Sequence, residues 1–280
     1  MAERPPGSNE KLVSEVSQSK ITVQNKHGEK LVGLLHYNGS RKLVIVCHGF
    51  RSSKDEKIFV SLGSALTIQG ISVFRFDFAG NGESEGVFRY GNYKREAEDI
   101  RSVILYFLEQ NYEISAIIGH SKGGNAVLLY ASVYHDVHIV INISGRFALE
   151  RGIEGRLGKD FRQRIEKDGF IDVKDKTGKF EYRVTEESLK DRLETDMRAA
   201  CLSIDMKCRV LTVHGSKDEI VPAEDAMQFA KLILNHKLHI MEGANHCYTA
   251  HLEELGAVVL DFMKSSQVFR CMIEKQKCNL

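Results

Sequence analysis

Gly119-His120-Ser121-Lys122-Gly123 follows the apolar run 114–118 and reads as G-x-S-x-G at a strand-to-helix junction. Glycine at both flanks permits the sharp, strained turn that lifts a serine hydroxyl above a sheet edge. A helix from Gly124 onward would aim its first N–H groups and its positive dipole end at an anion formed beside Ser121. The chemistry is nucleophilic attack by a serine on a carbonyl. A lone serine is too weak for it, so a base must take the proton during attack.

Two downstream segments supply candidates for that base and its orienting acid. The β-branched run Arg209-Val210-Leu211-Thr212-Val213 is followed by His214-Gly215-Ser216-Lys217-Asp218-Glu219, which puts Asp218 in a loop leaving a strand. Leu238-His239-Ile240-Met241 reads as a last strand, and Glu242-Gly243-Ala244-Asn245-His246 as the loop after it. An imidazole titrates near neutrality, so His246 could accept the serine proton and return it to a leaving group. Asp218 would hold the other ring nitrogen and stabilise the imidazolium. Glu219, its neighbour, is the alternative acid. Among the eleven histidines, His48, His120, His214 and His239 lie in or beside strands and suit packing or structural bonds. His27, His135 and His236 read as solvated loop residues.

These residues need a frame. Runs at 43–47, 71–76, 114–118, 138–143, 210–213 and 238–241 are near-continuously apolar, as strands buried on both faces of a parallel sheet are. Residues 21–23 and 31–35 read as a hairpin through Lys26-His27-Gly28-Glu29. Ala97, Ile100, Ile104, Phe107 and Leu108 recur at helical spacing, as do Leu252, Leu255, Val259 and Phe262. Alternation of strand and helix implies a doubly wound α/β architecture. Its active sites lie outside the carboxyl ends of the strands, where all three candidates fall.

Four stretches carry a family resemblance: Val46-Cys47-His48-Gly49-Phe50, the run from Phe76 and Asp77 through Gly80 and Gly82 to Ser84, the serine elbow, and residues 215–222 with Ala244-Asn245-His246. In these the chain resembles the α/β-hydrolase superfamily, in the branch of serine aminopeptidase-like hydrolases that includes monoacylglycerol lipases and cinnamoyl (feruloyl) esterases. The resemblance spans most of residues 20–265 and implies a mostly parallel sheet with helices on both faces. The order serine, acid, histidine is that of the superfamily, and its acid is the aspartate four residues before a proline, here Asp218 and Pro222. One oxyanion donor would be the backbone N–H of Lys122, after the nucleophile. By resemblance the second is the N–H of Phe50. The Lys122 side chain is expected to point to solvent.

Between residues 146 and 208 the alternation breaks for about sixty residues, too long for a structureless loop. This segment reads as an inserted cap. Thr185-Glu186-Glu187-Ser188 marks a helix start, and Leu189, Leu193, Met197, Ala200 and Ile204 mark one apolar face. By resemblance the cap roofs the pocket and sets substrate choice, with Phe161, Phe170 and Phe180 as candidate substrate contacts. The ordinary reading of any one of these aromatics is that it helps form a small core for the insertion. Arg156, Lys159, Arg162 and Arg164, interleaved with acids, read as a solvated face. The organisation expected is a flexible segment 1–19, a core of 20–145 and 209–265, the cap 146–208 and a tail 266–280.

Composition excludes other classes. The formal net charge of +1 gives no electrostatic case for nucleic acid or an anionic membrane. No apolar run approaches the roughly 20 residues of a spanning helix, and residues 1–7 lack the apolar centre of a secretory signal. Six cysteines without a C-x-x-C pair read as reduced thiols of a cytoplasmic protein. No paired Cys/His spacing calls for a metal, and no G-K-[ST] follows Gly80 and Gly82 to bind a nucleotide. The function expected is therefore a cofactor-free serine hydrolase acting on a small-molecule carboxylic ester with a small, medium or aromatic acyl group. A small-molecule receptor on the same scaffold, or an acyltransferase, are the alternatives.

Overall fold

The computed structural model describes residues 17–265. The expected flexible N-terminal segment and C-terminal tail lie outside them, except that Ser17 to Ser19 belong to the first strand. Strands β1 (Ser17–Gln24) and β2 (Lys30–Tyr37) form the hairpin, closed through Asn25 to Glu29. The chain then runs through β3 (Lys42–Cys47), α1 (Lys57–Ile68), β4 (Ser72–Phe76), α2 (Tyr93–Glu109), β5 (Glu113–His120), α3 (Lys122–Tyr134) and β6 (Ile139–Ile143). The insertion follows as α4 (Glu154–Leu157), α5 (Phe161–Asp168), β7 (Phe170–Lys174), β8 (Phe180–Thr185), α6 (Glu186–Glu194) and α7 (Met197–Ser203). The core resumes with β9 (Arg209–Gly215), α8 (Glu224–Leu232), β10 (His236–Met241) and α9 (Leu252–Lys264).

One sheet of order β1-β2-β4-β3-β5-β6-β9-β10 forms the centre. The strands from β4 to β10 pair in parallel, and β2 pairs antiparallel with both β1 and β4. β3, β5, β6 and β9 are almost wholly buried, which is why they read as continuous apolar runs. One apolar layer joins the sheet to α2, α3, α7 and α8 through Ile100, Phe107, Leu128, Met197 and Phe229. On the opposite face α1 and α9 contribute Phe59, Leu62, Leu255 and Phe262. Helices α1 and α8 add to those the periodicity predicts. The chain leaves β3 toward one edge and β5 toward the other, so the switch in strand order falls between them. No helix among the described residues is long and apolar enough to cross a membrane.

The insertion has its own apolar cluster, in which Phe161, Ile165, Ile171, Tyr182, Val184 and Leu189 pack with Tyr90 of the core. Its helix start is as expected: the Thr185 side chain accepts the Ser188 N–H, and the Ser188 hydroxyl accepts the Thr185 N–H. The single apolar helical face expected from Leu189 to Ile204 is instead two helices. Thr195 and Asp196 take extended backbone, and the Asp196 carboxylate caps α7 through the Ala199 N–H at 3.0 Å.

Of the three aromatics expected to contact substrate, Phe161 is buried in this cluster, whereas Phe180 is 54% exposed. Phe161→Ala should therefore cost about 3–5 kcal/mol of stability as a core deletion. Phe180→Ala should stay within about 0.5 kcal/mol as a surface change. Urea unfolding of both variants checks the contrast.

Candidate active site

Ser121 follows β5 directly and forms the cap of α3, with φ +55° and ψ −120°. Few L-residues tolerate that backbone, and it is held here rather than relaxed. The Ser121 N–H donates to the Ile143 carbonyl at 2.8 Å, and its carbonyl accepts the Asn125 N–H at 3.3 Å. Gly123 must be glycine, because a Cβ would fall on the carbonyl oxygens of Cys47 and His48. The elbow is thus wedged against the end of β3. Arg51, Ser144 and Tyr248, from three loops around it, also have positive φ.

The loop after β3 is pinned by His48. Its Nδ1 donates to the Gly49 carbonyl at 2.8 Å, while its Nε2 accepts the Phe78 N–H at 2.9 Å. Burial pulls this imidazole down to about pKa 4, so it stays neutral and keeps one donor and one acceptor. Gly49 sits against Ser121, where a Cβ would lie 3.1 Å from the serine Cβ. Phe50 follows and lines the same cavity as Ser121. As the first residue of α3, Lys122 has an N–H without an intrahelical acceptor.

Asp218 and His246 meet. His246 Nδ1 lies 2.7 Å from Asp218 Oδ2, with the carboxylate fully buried. Asp218 Oδ1 accepts the N–H groups of Ile220 and Val221 at 2.9 and 2.8 Å, and His214 Nε2 stands 3.3 Å from Oδ2. Burial would raise this carboxyl, but hydrogen bonds from His214 and His246 outweigh it and hold it far below the usual carboxylate range. The acid therefore stays ionised. Glu219 does not reach the imidazole; its carboxylate accepts the His246 backbone N–H at 3.4 Å. His120 Nε2 donates to the His246 carbonyl at 2.8 Å, anchoring that loop to the elbow. Burial, then the neighbouring His246, depress His120 to about pKa 3.

A cavity of about 470 Å³ brings Ser121, His120 and His246 together with Gly49, Phe50 and Leu252. Phe161, Phe170 and Phe180 do not line it. Phe170 instead lies under the Arg183 guanidinium at 3.7 Å, and Phe180 lines a separate cleft of about 610 Å³ that excludes Ser121. Arg156 is exposed, as expected of a solvated face, and its guanidinium also lies over the Phe50 ring at 4.4 Å and lines the serine cavity.

The Lys122 side chain is also placed differently from expectation. It is buried, and its Nζ bonds Glu96 Oε1 at 2.6 Å and lies 5.1 Å from the centre of the Tyr93 ring. Burial raises Glu96 to about pKa 7, against the lowering influence of Lys122. Glu96 was discoverable, since it falls between Tyr93 and Ala97 on the apolar face of α2. A carboxylate on a buried helical stripe calls for a cation. Arg192 carries the same signal beside Leu189 on α6.

Comparison with known proteins bears on the fold and the class of protein that the chain resembles. The family of serine aminopeptidase, S33, hydrolases matches residues 38–167. The esterase Est1E of Butyrivibrio proteoclasticus, solved with ferulic acid, is 27% identical with a TM-score of 0.76, covering 87% of this chain and 97% of Est1E. The α/β-hydrolase GrgF of a Penicillium species shares the fold at 20% identity and a TM-score of 0.76, covering 91% of this chain and 100% of GrgF. The uncharacterized protein YDL057W of Saccharomyces cerevisiae is 24% identical over 260 residues, 85% of this chain and 76% of that protein. The fold is that of the α/β-hydrolases, and the chain is similar to members of their esterase-like branch.

The Glu96 shift has a consequence for stability. Unfolded, the group loses its proton near 4.5; folded, near 7. Its contribution is full below the lower value and is lost as pH rises through the upper one. Glu96→Gln should flatten the stability profile across that window relative to wild type, as measured by urea unfolding on both sides of it.

Proposed function

We propose that the protein hydrolyses carboxylic esters through Ser121, His246 and Asp218. The observation that carries this reading is the 2.7 Å contact of His246 Nδ1 with a buried, ionised Asp218, in a cavity shared with a serine at φ +55°. Asp218 holds the imidazole with Nδ1 protonated, which leaves Nε2 free to act as base. Ser121 Oγ attacks the ester carbonyl while His246 takes its proton. The oxyanion is stabilised by the N–H groups of Phe50 and Lys122, aided by the N-terminal end of α3. His246 then protonates the departing alcohol, and water, activated by the same imidazole, releases the acid and restores Ser121. Neutral His120 and the Asp218 partner His214 position the loops without exchanging protons with substrate. The cap, folded around its own aromatic cluster, bounds the cavity through Arg156 and would sort substrates there. The ferulic acid held by Est1E supports an aromatic or medium acyl group as one that a fold of this kind can take.

A fluorophosphonate probe should label Ser121 in wild type and fail on Ser121→Ala. A folded wild-type protein that resists labelling would count against catalysis and favour a receptor on the same scaffold. Asp218→Asn should lower turnover of a 4-nitrophenyl ester about 10⁴-fold, the loss seen when a triad imidazole is held in the wrong tautomer. Glu219→Gln should change it little, because Glu219 meets only the backbone of His246. The reverse ranking would move the acid role to Glu219.

A further inference from the structure

Beside Ser121 the cavity opens into a recess of about 40 Å³, bounded by Ser121, Lys122, Arg146, Arg156 and Arg192. Four cationic side chains on so small a space need an accounting. Lys122 is neutralised by Glu96. The three arginines are not: among the described residues none of them forms an ion pair with a carboxylate. Buried Arg192 spends its donors on neutral oxygens, the carbonyls of Leu149 and Arg151 at 2.9 and 3.1 Å and the Tyr93 hydroxyl at 3.2 Å. Arg146 donates to the Ile220 carbonyl, and Asn125 of α3 grips its backbone N–H and carbonyl at 3.1 and 2.6 Å. Arg156 lies over the Phe50 ring.

The nearby carboxylates do not pair directly with these arginines. Asp225 accepts the N–H groups of Phe147 and Ala148 and stands 4.0 Å from Arg151, and Asp191 accepts the Tyr93 N–H at 3.1 Å. Burial, then the charge of Arg192, disfavour the protonated form of Arg146, and the more distant charge of Asp225 offsets this only in part. A guanidinium cannot relieve this by losing its proton, so the recess keeps a surplus of positive charge. Uncompensated cations at a substrate cavity attract and orient an anion.

We propose that the recess binds a carboxylate at the end of the substrate's acyl arm, so that the preferred substrate is a half-ester of a short dicarboxylic acid. The inference rests on the ester-hydrolase reading. It assigns the two sides of Ser121 by chemistry. The departing alcohol must receive a proton from His246, so it occupies the larger chamber that His246 lines. The recess touches Ser121 and Lys122 but not His246, and so falls to the acyl side. Its volume admits a carboxylate and little more. Ser121 Oγ bonds to the acyl carbon as the alcohol leaves with the His246 proton; water then breaks the acyl-serine bond, giving a dicarboxylate and the alcohol.

The test compares 4-nitrophenyl hydrogen succinate with neutral 4-nitrophenyl butyrate. The half-ester should have the higher kcat/KM by at least about tenfold, with a ratio that falls as salt is added. Arg156→Gln, at an exposed position without structural hydrogen bonds, should reduce the ratio roughly tenfold, the scale of one charge-assisted hydrogen bond. Equal rates, or preference for butyrate, would overturn the inference while leaving ester hydrolysis intact. A 3-phosphonopropionyl ester turned over faster than the succinyl one would overturn the assignment to a carboxylate. If no ester is cleaved, binding of monomethyl succinate decides by calorimetry. Binding weakened by Arg156→Gln upholds the recess without the reaction, and absence of binding sinks it.

Discussion

Between the end of β3 and the start of α3 two backbones approach closer than any side chain allows. A Cβ on Gly123 would land on the carbonyls of Cys47 and His48, and one on Gly119 would land on the Gly123 carbonyl. The rest of the site is hung on this contact. It forces Ser121 into its positive-φ turn, brings the Gly49-Phe50 loop against the serine, and starts α3 with a free N–H at Lys122. Because β3 and β5 are neighbours at the switch in strand order, the two loops emerge side by side on one sheet edge. β9 and β10 end on that edge too, and their loops carry Asp218 and His246. Strain at the serine is thus maintained by a sheet whose central strands are almost wholly buried, a scaffold stiff enough to hold it.

Burying charge around such a site is costly unless each charge meets a partner. Two lysines show how this is arranged. Lys54, 2% exposed, meets Asp77 at 2.8 Å and Glu83 at 2.7 Å, tying the loop after β3 to the loop after β4. Lys122 meets Glu96, tying the elbow to α2. Removing one member of such a pair typically costs 3–5 kcal/mol, although the pair as a whole adds little net stability. Their value is geometric. The first fixes two loops to each other, and the second fixes the elbow to a helix that the apolar core already holds.

The core was legible in the sequence because its signals are local and periodic. Apolar runs marked every parallel strand, and the serine elbow, Asp218 and His246 stand at strand ends in chain order. The insertion was legible only as an interruption. Its hairpin of β7 and β8 follows a period of two, Ile171 and Val173 against Tyr182 and Val184, but charged residues fill the alternate positions and leave the run short. The helix break at Thr195 and Asp196 hid because the apolar residues on either side keep a near-helical spacing through it. Lys122 and Arg146 gave no sign of direction at all. Whether a long cation points to water or inward depends on what lies across from it, and for Lys122 that is a carboxylate 26 positions earlier in the chain.

A division of labour between the two parts of the chain follows. The residues proposed to perform chemistry, Ser121, Asp218 and His246, all come from loops of the parallel sheet. The uncompensated cations all come from the insertion, Arg146 at its start, Arg156 on α4 and Arg192 on α6. They converge because the insertion begins at β6 and ends at β9, the two strands flanking the elbow on that side, so both its ends return beside Ser121. An insertion at this point can change the charge facing the acyl group without altering one hydrogen bond of the elbow. That separation explains why the reaction class could be read from short motifs, while the charge of the substrate required three arginines spread over 46 positions to be seen lining one recess.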